Sequence, residues 1–185
     1  MRALFLASLT SIVCFSFYTA TVHAEAVDCT NLPHWTDNTA IPINQVHVFC
    51  GEWRRDKPKG FHARPHGKNP STVESLKITQ HPNAQGLYGV RWKYEGQSQR
   101  SKFSSLFPDS CSYTQIITSI EYAAQHPKSC PTGSPSWTKC GDNKPRSHTS
   151  KTNTDYCHAN DESLFTIAYA TLRNGKINTA FPIME

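Results

Sequence analysis

Apolar and polar positions are patterned most clearly at the C-terminal end of the chain. Residues 164–172 form an apolar, β-branched run, Asn174-Gly175 is a two-residue hairpin signal, and residues 176–183 return. A second hairpin is predicted earlier. Leu, Tyr, Val and Trp recur with partial alternation over residues 87–94, Glu95-Gly96 turns the chain, and residues 97–103 come back. Between the hairpins the period changes. Residues 104–108 lead into a helix on whose face Ile116, Ile117, Ile120 and Ala124 align. Asp109 or Ser110 is its expected cap, and His126-Pro127 ends it. The expected class is α+β, an N-terminal helical and loop portion on an antiparallel sheet that includes both hairpins.

The remaining stretches carry weaker patterns. Residues 69–86 mix Ser, Thr, Asn and Pro with Val73, Leu76 and Ile78, enough for one helical turn or a short strand. Residues 25–46 are polar and turn-rich, with Pro33 and Pro42, and read as a segment that wraps the domain. Residues 127–160 have few apolar positions but hold Cys130, Cys140 and Cys157. A loop that long in a compact domain is functional, disordered or stapled, and the cysteines favour a stapled insertion. No internal repeat is visible, so residues 25–185 read as one domain.

Residues 1–24 read as a signal peptide. Arg2 precedes an apolar run over residues 3–18, and Val22-His23-Ala24 is a small-x-small cleavage site. That run is too short and broken for a membrane anchor. The expectation is an exported protein, periplasmic or secreted, with no membrane association. Cysteine usage agrees. Cys14 lies in the signal segment, leaving Cys29, Cys50, Cys111, Cys130, Cys140 and Cys157. Six cysteines in an exported chain imply three disulfides, and the sequence leaves their pairing open. No C-x-x-C occurs, which removes zinc-ribbon and thioredoxin-type readings.

Net charge adds little by itself: 19 Lys and Arg against 14 Asp and Glu is a mild excess. Its local concentration matters more. Residues 47–68 hold three histidines (His47, His62 and His66), six Lys or Arg, and only two acids, Glu52 and Asp56. Pro58, Gly60, Pro65 and Gly67 make most of this stretch loop. Imidazoles among cations suit an anionic substrate, and two imidazoles that titrate near neutrality can share base and acid roles.

These residues also resemble a known family. His47-Val-Phe-x-Gly-Glu followed by Gly60-Phe-His62-x-Arg-Pro is similar to the two-histidine signature of bacterial EndoU-type endoribonucleases. Lys102-Phe-Ser-Ser-Leu-Phe-Pro-Asp-Ser before a helix resembles that family's lysine segment, and Gly175-Lys-Ile-Asn-Thr179-Ala-Phe181-Pro its terminal hairpin. The resemblance runs in order from about residue 45 to the end. It implies helices beside a curved antiparallel sheet, as in several bacterial toxin ribonucleases. It implies RNA cleavage, often next to uridine, leaving a 2′,3′-cyclic phosphate. His47 and His62 match the catalytic pair, Lys102 the catalytic lysine, and Thr179 the hydroxyl residue of the last strand. Phe181 stands where the family often has tyrosine, which removes a hydroxyl contact. His66 stands where glycine is common and adds a cation, as does Arg64. Backbone N–H groups near Gly51 and the Lys102 ammonium can serve transition-state charge. The scheme requires no cofactor, although some relatives depend on manganese. RNA is the expected partner of a monomer, with room for a cognate inhibitor or immunity protein.

Other readings use the same residues. His62-x-x-x-His66 could share a zinc ion with a third ligand, but Pro65 between them opposes the helix that this spacing exploits. Cys50 near His47 could be a thiol nucleophile, at the cost of an odd cysteine in an oxidising compartment. A disulfide-stapled binding module without activity is the third alternative. His34, His81, His126, His148 and His158 read as ordinary surface or core histidines, and Trp35, Trp53, Trp92 and Trp137 as packing residues.

Overall fold

Among the described residues, strand pairing gives three antiparallel sheets, of two, three and four strands, and the larger two approach each other at their edges. A computed structural model describes residues 25–97, 99–146 and 155–184. The signal-peptide reading and His148 therefore lie outside the described residues, as does part of the stapled insertion.

The first half is loop around a short hairpin. A π-helical turn, Val46–Cys50, carries His47 and ends at Gly51. Strands β1 (Glu52–Trp53) and β2 (Pro58–Lys59) pair antiparallel, and a 3-10 turn follows at Pro65–Gly67. The expected N-terminal helical portion is thus loop plus this π turn. The three-stranded sheet has the order β3 (Val73–Gln80), β4 (Tyr88–Tyr94), β5 (Ser101–Leu106). The helix α1 (Tyr113–Gln125) then leads to a four-stranded sheet in chain order. Its strands are β6 (Pro127–Lys128), β7 (Lys139–Asp142), β8 (Thr166–Thr171) and β9 (Ile177–Pro182). The α+β class expected from the pattern is what the chain adopts.

Several boundaries differ from the sequence reading, each for a physical reason. Residues 73–80 form a full strand although their apolar content is low, because ladder bonds to the central strand β4 decide the matter. The return strand of the first hairpin begins at Ser101 rather than at 97. Gln97 N–H to Tyr94 O closes the Glu95-Gly96 turn, and a further turn, Arg100 N–H to Gln97 O, delays the return strand. It ends at Leu106, so Ser104 and Leu106 are buried strand residues and not a lead-in to the helix. The helix is capped by Ser112, in a reciprocal capping box with Gln115. Asp109 is unavailable for that purpose because it accepts hydrogen bonds from Arg64 and Tyr88.

The two hairpins belong to separate sheets, contrary to the single sheet expected. The outer edge of β9 is already occupied at one end, where Ile177 N–H donates to Pro42 O and Ile177 O accepts from Asn44 N–H. At the other end Ile183 N–H points to Thr166 O on β8. Pro182 therefore turns to the opposite edge, where it has a carbonyl but no N–H to extend a ladder. Ser105 Oγ of β5 donates to that carbonyl at 2.7 Å, and this side-chain bond joins the sheets instead.

Two apolar clusters support the arrangement. The larger lies between α1, β8, β9 and the π turn, with Phe49, Ile116, Ile120, Ile167 and Ile177 fully buried. The smaller surrounds Trp92, with Phe61, Val90 and Leu106. Among the described residues three disulfides close the chain: Cys29–Cys50 pins the N-terminal segment to the π turn, Cys111–Cys157 ties the insertion to the start of α1, and Cys130–Cys140 closes the loop between β6 and β7. The insertion is therefore partly sheet, since it supplies β6 and β7.

Candidate active site

The cleft opens where the edge strands β5 and β9 approach the 47–62 loop. It holds about 800 Å³ and is lined by His47, His62, Lys102, Thr179 and Phe181, among others. The backbone brings the two histidines together despite their separation in sequence. After β2 the chain doubles back along the π turn: Phe61 N–H donates to His47 O at 2.7 Å and His62 N–H to Val48 O at 2.7 Å. Gly60 makes this approach feasible. It has φ +69°, and a Cβ there would lie 2.1 Å from His47 O. Gly51, also at φ +69°, lies against the Trp92 ring, where a Cβ would come within 2.4 Å of the indole. Its place is in that packing, and it does not line the cleft.

The imidazole centroids are 6.1 Å apart, and their settings differ. His47 Nδ1 lies 2.6 Å from Glu52 Oε2, a partner that β1 supplies. That hydrogen bond is the main reason the Glu52 carboxyl titrates below its ordinary value, so Glu52 is an anion beside His47. With Nδ1 donating to the carboxylate, Nε2 is the other nitrogen available to the cleft. His62 Nδ1 donates to Ser105 O at 3.1 Å, which likewise leaves Nε2 free. His62 is buried, and its pKa is pushed well below 6.5 by desolvation, with the Lys102 and His47 charges adding to the effect. It therefore stays neutral where an exposed histidine would begin to protonate.

Lys102 reaches the cleft from β5. Its Nζ donates to Phe103 O and to Ser104 Oγ, both at 2.8 Å. Burial, aided by the Lys59 charge, lowers its pKa to about 8. Ser104 is a hub that the sequence did not mark. Its Oγ also accepts from Trp92 Nε1 at 3.1 Å and donates to Gly60 O at 2.9 Å. One buried hydroxyl thus links the lysine, the smaller core and the glycine beside His47.

The opposite edge comes from β9. Thr171 pairs with Ile177 and Ala170 with Thr179, so Asn178 is an extra residue in a bulge. Bulges re-aim side chains near functional sites, and here the consecutive residues Asn178 and Thr179 both line the cleft. Asn178 was not singled out by its sequence context. Phe181, two residues on from Thr179, places its ring centroid 5.2 Å from that of His62. A cationic wall of Arg54, Arg55, Lys57 and Lys59 comes from the β1–β2 hairpin and its flanks. Lys59 titrates below its ordinary value through burial first and through the neighbouring Lys57, Arg55 and Arg54 charges next.

Arg64 and His66, like Gly51, lie outside the cleft. Arg64 donates to Tyr88 Oη at 2.6 Å, to Asp109 Oδ2 at 2.7 Å and to Asn69 Oδ1 at 3.2 Å. It fixes the chain just after His62 to β4 and to the approach of α1. His66 lines a separate cavity with Pro65, Tyr113 and Leu32, so it does not face His62 across a shared ligand point. Among the described residues, no group of three His, Cys, Asp or Glu side chains is arranged to hold a metal ion. Cys50 is in a disulfide, which removes the thiol-nucleophile alternative. Trp92 is fully buried, as a packing residue should be, but Trp137 is 59% exposed and lines the cleft.

No curated protein and no solved structure matches this chain. The family model described as "Bacterial EndoU nuclease" matches residues 43–184, a span that begins just before the π turn and takes in both histidines, all three sheets and all of β9. By that match the chain belongs to the bacterial EndoU nuclease family.

Proposed function

We propose that the protein is an exported endoribonuclease that cuts RNA by internal transesterification, with His62 as general base, His47 as general acid and Lys102 as the cation at the phosphate. The observation that carries this reading is a pair of imidazoles 6.1 Å apart in unlike environments, beside a lysine, in a member of a nuclease family. His62 is kept neutral by burial and neighbouring charge, which suits a base. His47 has the Glu52 carboxylate as a counterion, which suits an acid.

In this scheme His62 Nε2 takes the proton of the 2′-hydroxyl. The 2′ oxygen attacks the adjacent phosphorus, and the bond from phosphorus to the 5′ oxygen breaks. His47 Nε2–H protonates that leaving oxygen. The products are a 2′,3′-cyclic phosphate and a 5′-hydroxyl. Lys102 offsets the charge that develops on the phosphoryl oxygens, and each acid or base role is worth about 10²–10⁴-fold. Thr179, Asn178 and Phe181 form the wall where a base beside the scissile phosphate would rest. Phe181 offers a ring face without a hydroxyl, so uridine preference rests on Thr179 and Asn178. Three disulfides suit an oxidising compartment, in keeping with the signal-like residues 1–24.

The test is incubation of the oxidised protein with a uridine-containing oligonucleotide, mapping product ends with and without manganese. Cleavage at uridine that needs no added metal supports the proposal. An intact oligonucleotide under both conditions would leave a binding module as the better account.

A further inference from the structure

The RNA-cleavage reading leaves one feature of the cleft without a role. Trp137 is 59% exposed, more than Phe103, Leu172 or Ile78, the other exposed large hydrophobics described. Such a ring contributes little to the core, and burying it is worth more than for any smaller side chain. It is nevertheless held in place. Trp137 sits between β6 and β7 in the loop that Cys130–Cys140 closes. On either side of it, Thr138 N–H and Thr138 Oγ1 both donate to Pro135 O, at 3.0 Å and 2.7 Å. Ser134 Oγ donates to Pro131 O at 2.7 Å. The loop is built from turns that hold one another, so the indole is presented with much of its ordering cost already met.

Its position points to a partner. The Trp137 and Phe181 centroids are 6.0 Å apart, and Phe181 and His62 are 5.2 Å apart. Aromatic surface therefore leads outward from the buried imidazole in two steps. The same cleft is lined by Arg54, Arg55, Lys57 and Lys59. A groove lined by both cations and aromatic rings matches a single strand, whose phosphates the cations can hold and on whose bases the rings can stack.

We propose that Trp137 is a stacking platform for the base next to the one that rests on Phe181, so that the disulfide-closed loop adds a nucleotide subsite to the cleft. This rests on the RNA-cleavage reading. The subsite would act by stacking and so tolerate any base, leaving uridine preference to the β9 wall.

The test is fluorescence anisotropy of a labelled single-stranded oligonucleotide, 2′-O-methylated throughout so that it binds without being cut. Wild type is compared with W137A, W137F and W137L, all oxidised. Base–aromatic stacking predicts a dissociation constant about 5- to 150-fold weaker for W137A. W137F should recover most of the affinity, whereas W137L, which restores bulk but no π-face, should not. An abasic substitution at the stacked nucleotide should weaken wild-type binding and leave W137A unchanged. Affinity for W137A within about twofold of wild type, or full recovery by W137L, would overturn the proposal. If wild type cuts RNA while W137A binds normally, the subsite alone fails. If wild type neither binds nor cuts RNA, the catalytic reading fails and takes the subsite with it.

Discussion

Ser104→Ala should cost both stability and activity, and the structure sets the size of the first. Ser104 Oγ makes three hydrogen bonds and is almost fully buried. Removing it leaves Trp92 Nε1–H without that partner in a fully buried ring, and leaves Gly60 O without its donor. A buried polar group left unsatisfied costs about 1–3 kcal/mol, so two such groups predict about 2–4 kcal/mol once local relaxation is allowed. For a chain of this length that is a fall of about 5–15 °C in Tm. Lys102 keeps only Phe103 O as a hydrogen-bond acceptor, and kcat should fall with little change in KM, because the ammonium would no longer be fixed at the phosphate. Ser105→Ala is the control: it removes the bond to Pro182 O and predicts about 0.5–1.5 kcal/mol. Calorimetry and denaturant unfolding of the oxidised variants measure both. A loss for Ser104→Ala no larger than for Ser105→Ala would show that Trp92 and Gly60 find other partners, and would refute the hub.

Further outcomes follow from the same geometry. Lys102→Met should abolish activity yet raise stability. Burial lowers the Lys102 pKa from 10.5 to about 8, so folding disfavours its charged form, and that penalty is present in full below about 8 and is relieved as pH rises from there towards 10.5. In wild type, cleavage should decline above pH about 8 as the ammonium is lost, which a pH–rate curve reads directly. His47→Ala should lower kcat by about 10²–10⁴-fold with a small change in Tm, whereas His62→Ala should lose activity and stability together, because His62 is a buried residue that only happens to lie on a loop. Replacing Cys111 and Cys157 together by serine should cost about 4 kcal/mol, and the Cys130–Cys140 pair about 2.5–3, because the closed loops span 46 and 10 residues. Chemical denaturation of the two double variants checks the order.

Local chemistry explains what could be read from the sequence. The C-terminal hairpin is carried by Asn174-Gly175 between apolar runs, and α1 by its isoleucine stripe, so both were legible. His47, His62, Lys102, Thr179 and Phe181 were singled out through motif resemblance, and they line one cleft. What stayed hidden depends on distant partners. β3 exists because β4 offers a ladder, and the sheets separate because Pro182 lacks a donor and Ile177 is already paired. Arg64 looked like a substrate contact because it is a cation near His62, but Asp109 and Tyr88 claim it. Ser104 and Asn178 carried no signal, since their importance comes from a three-way hydrogen bond and a bulge that only the fold creates. The exposure of Trp137 is likewise a property of its stapled loop, not of its own type.

The most direct test of the mechanism replaces one atom of substrate chemistry. A single-stranded RNA oligonucleotide with one cleavable uridine is compared with the same strand carrying a 2′-O-methyl group at that uridine, in chelator, with products resolved by mass spectrometry. The account predicts a 2′,3′-cyclic phosphate and a 5′-hydroxyl from the first strand, and no cleavage at the modified position of the second. Cleavage of the methylated strand, or of single-stranded DNA, at a comparable rate would contradict attack by the 2′-hydroxyl.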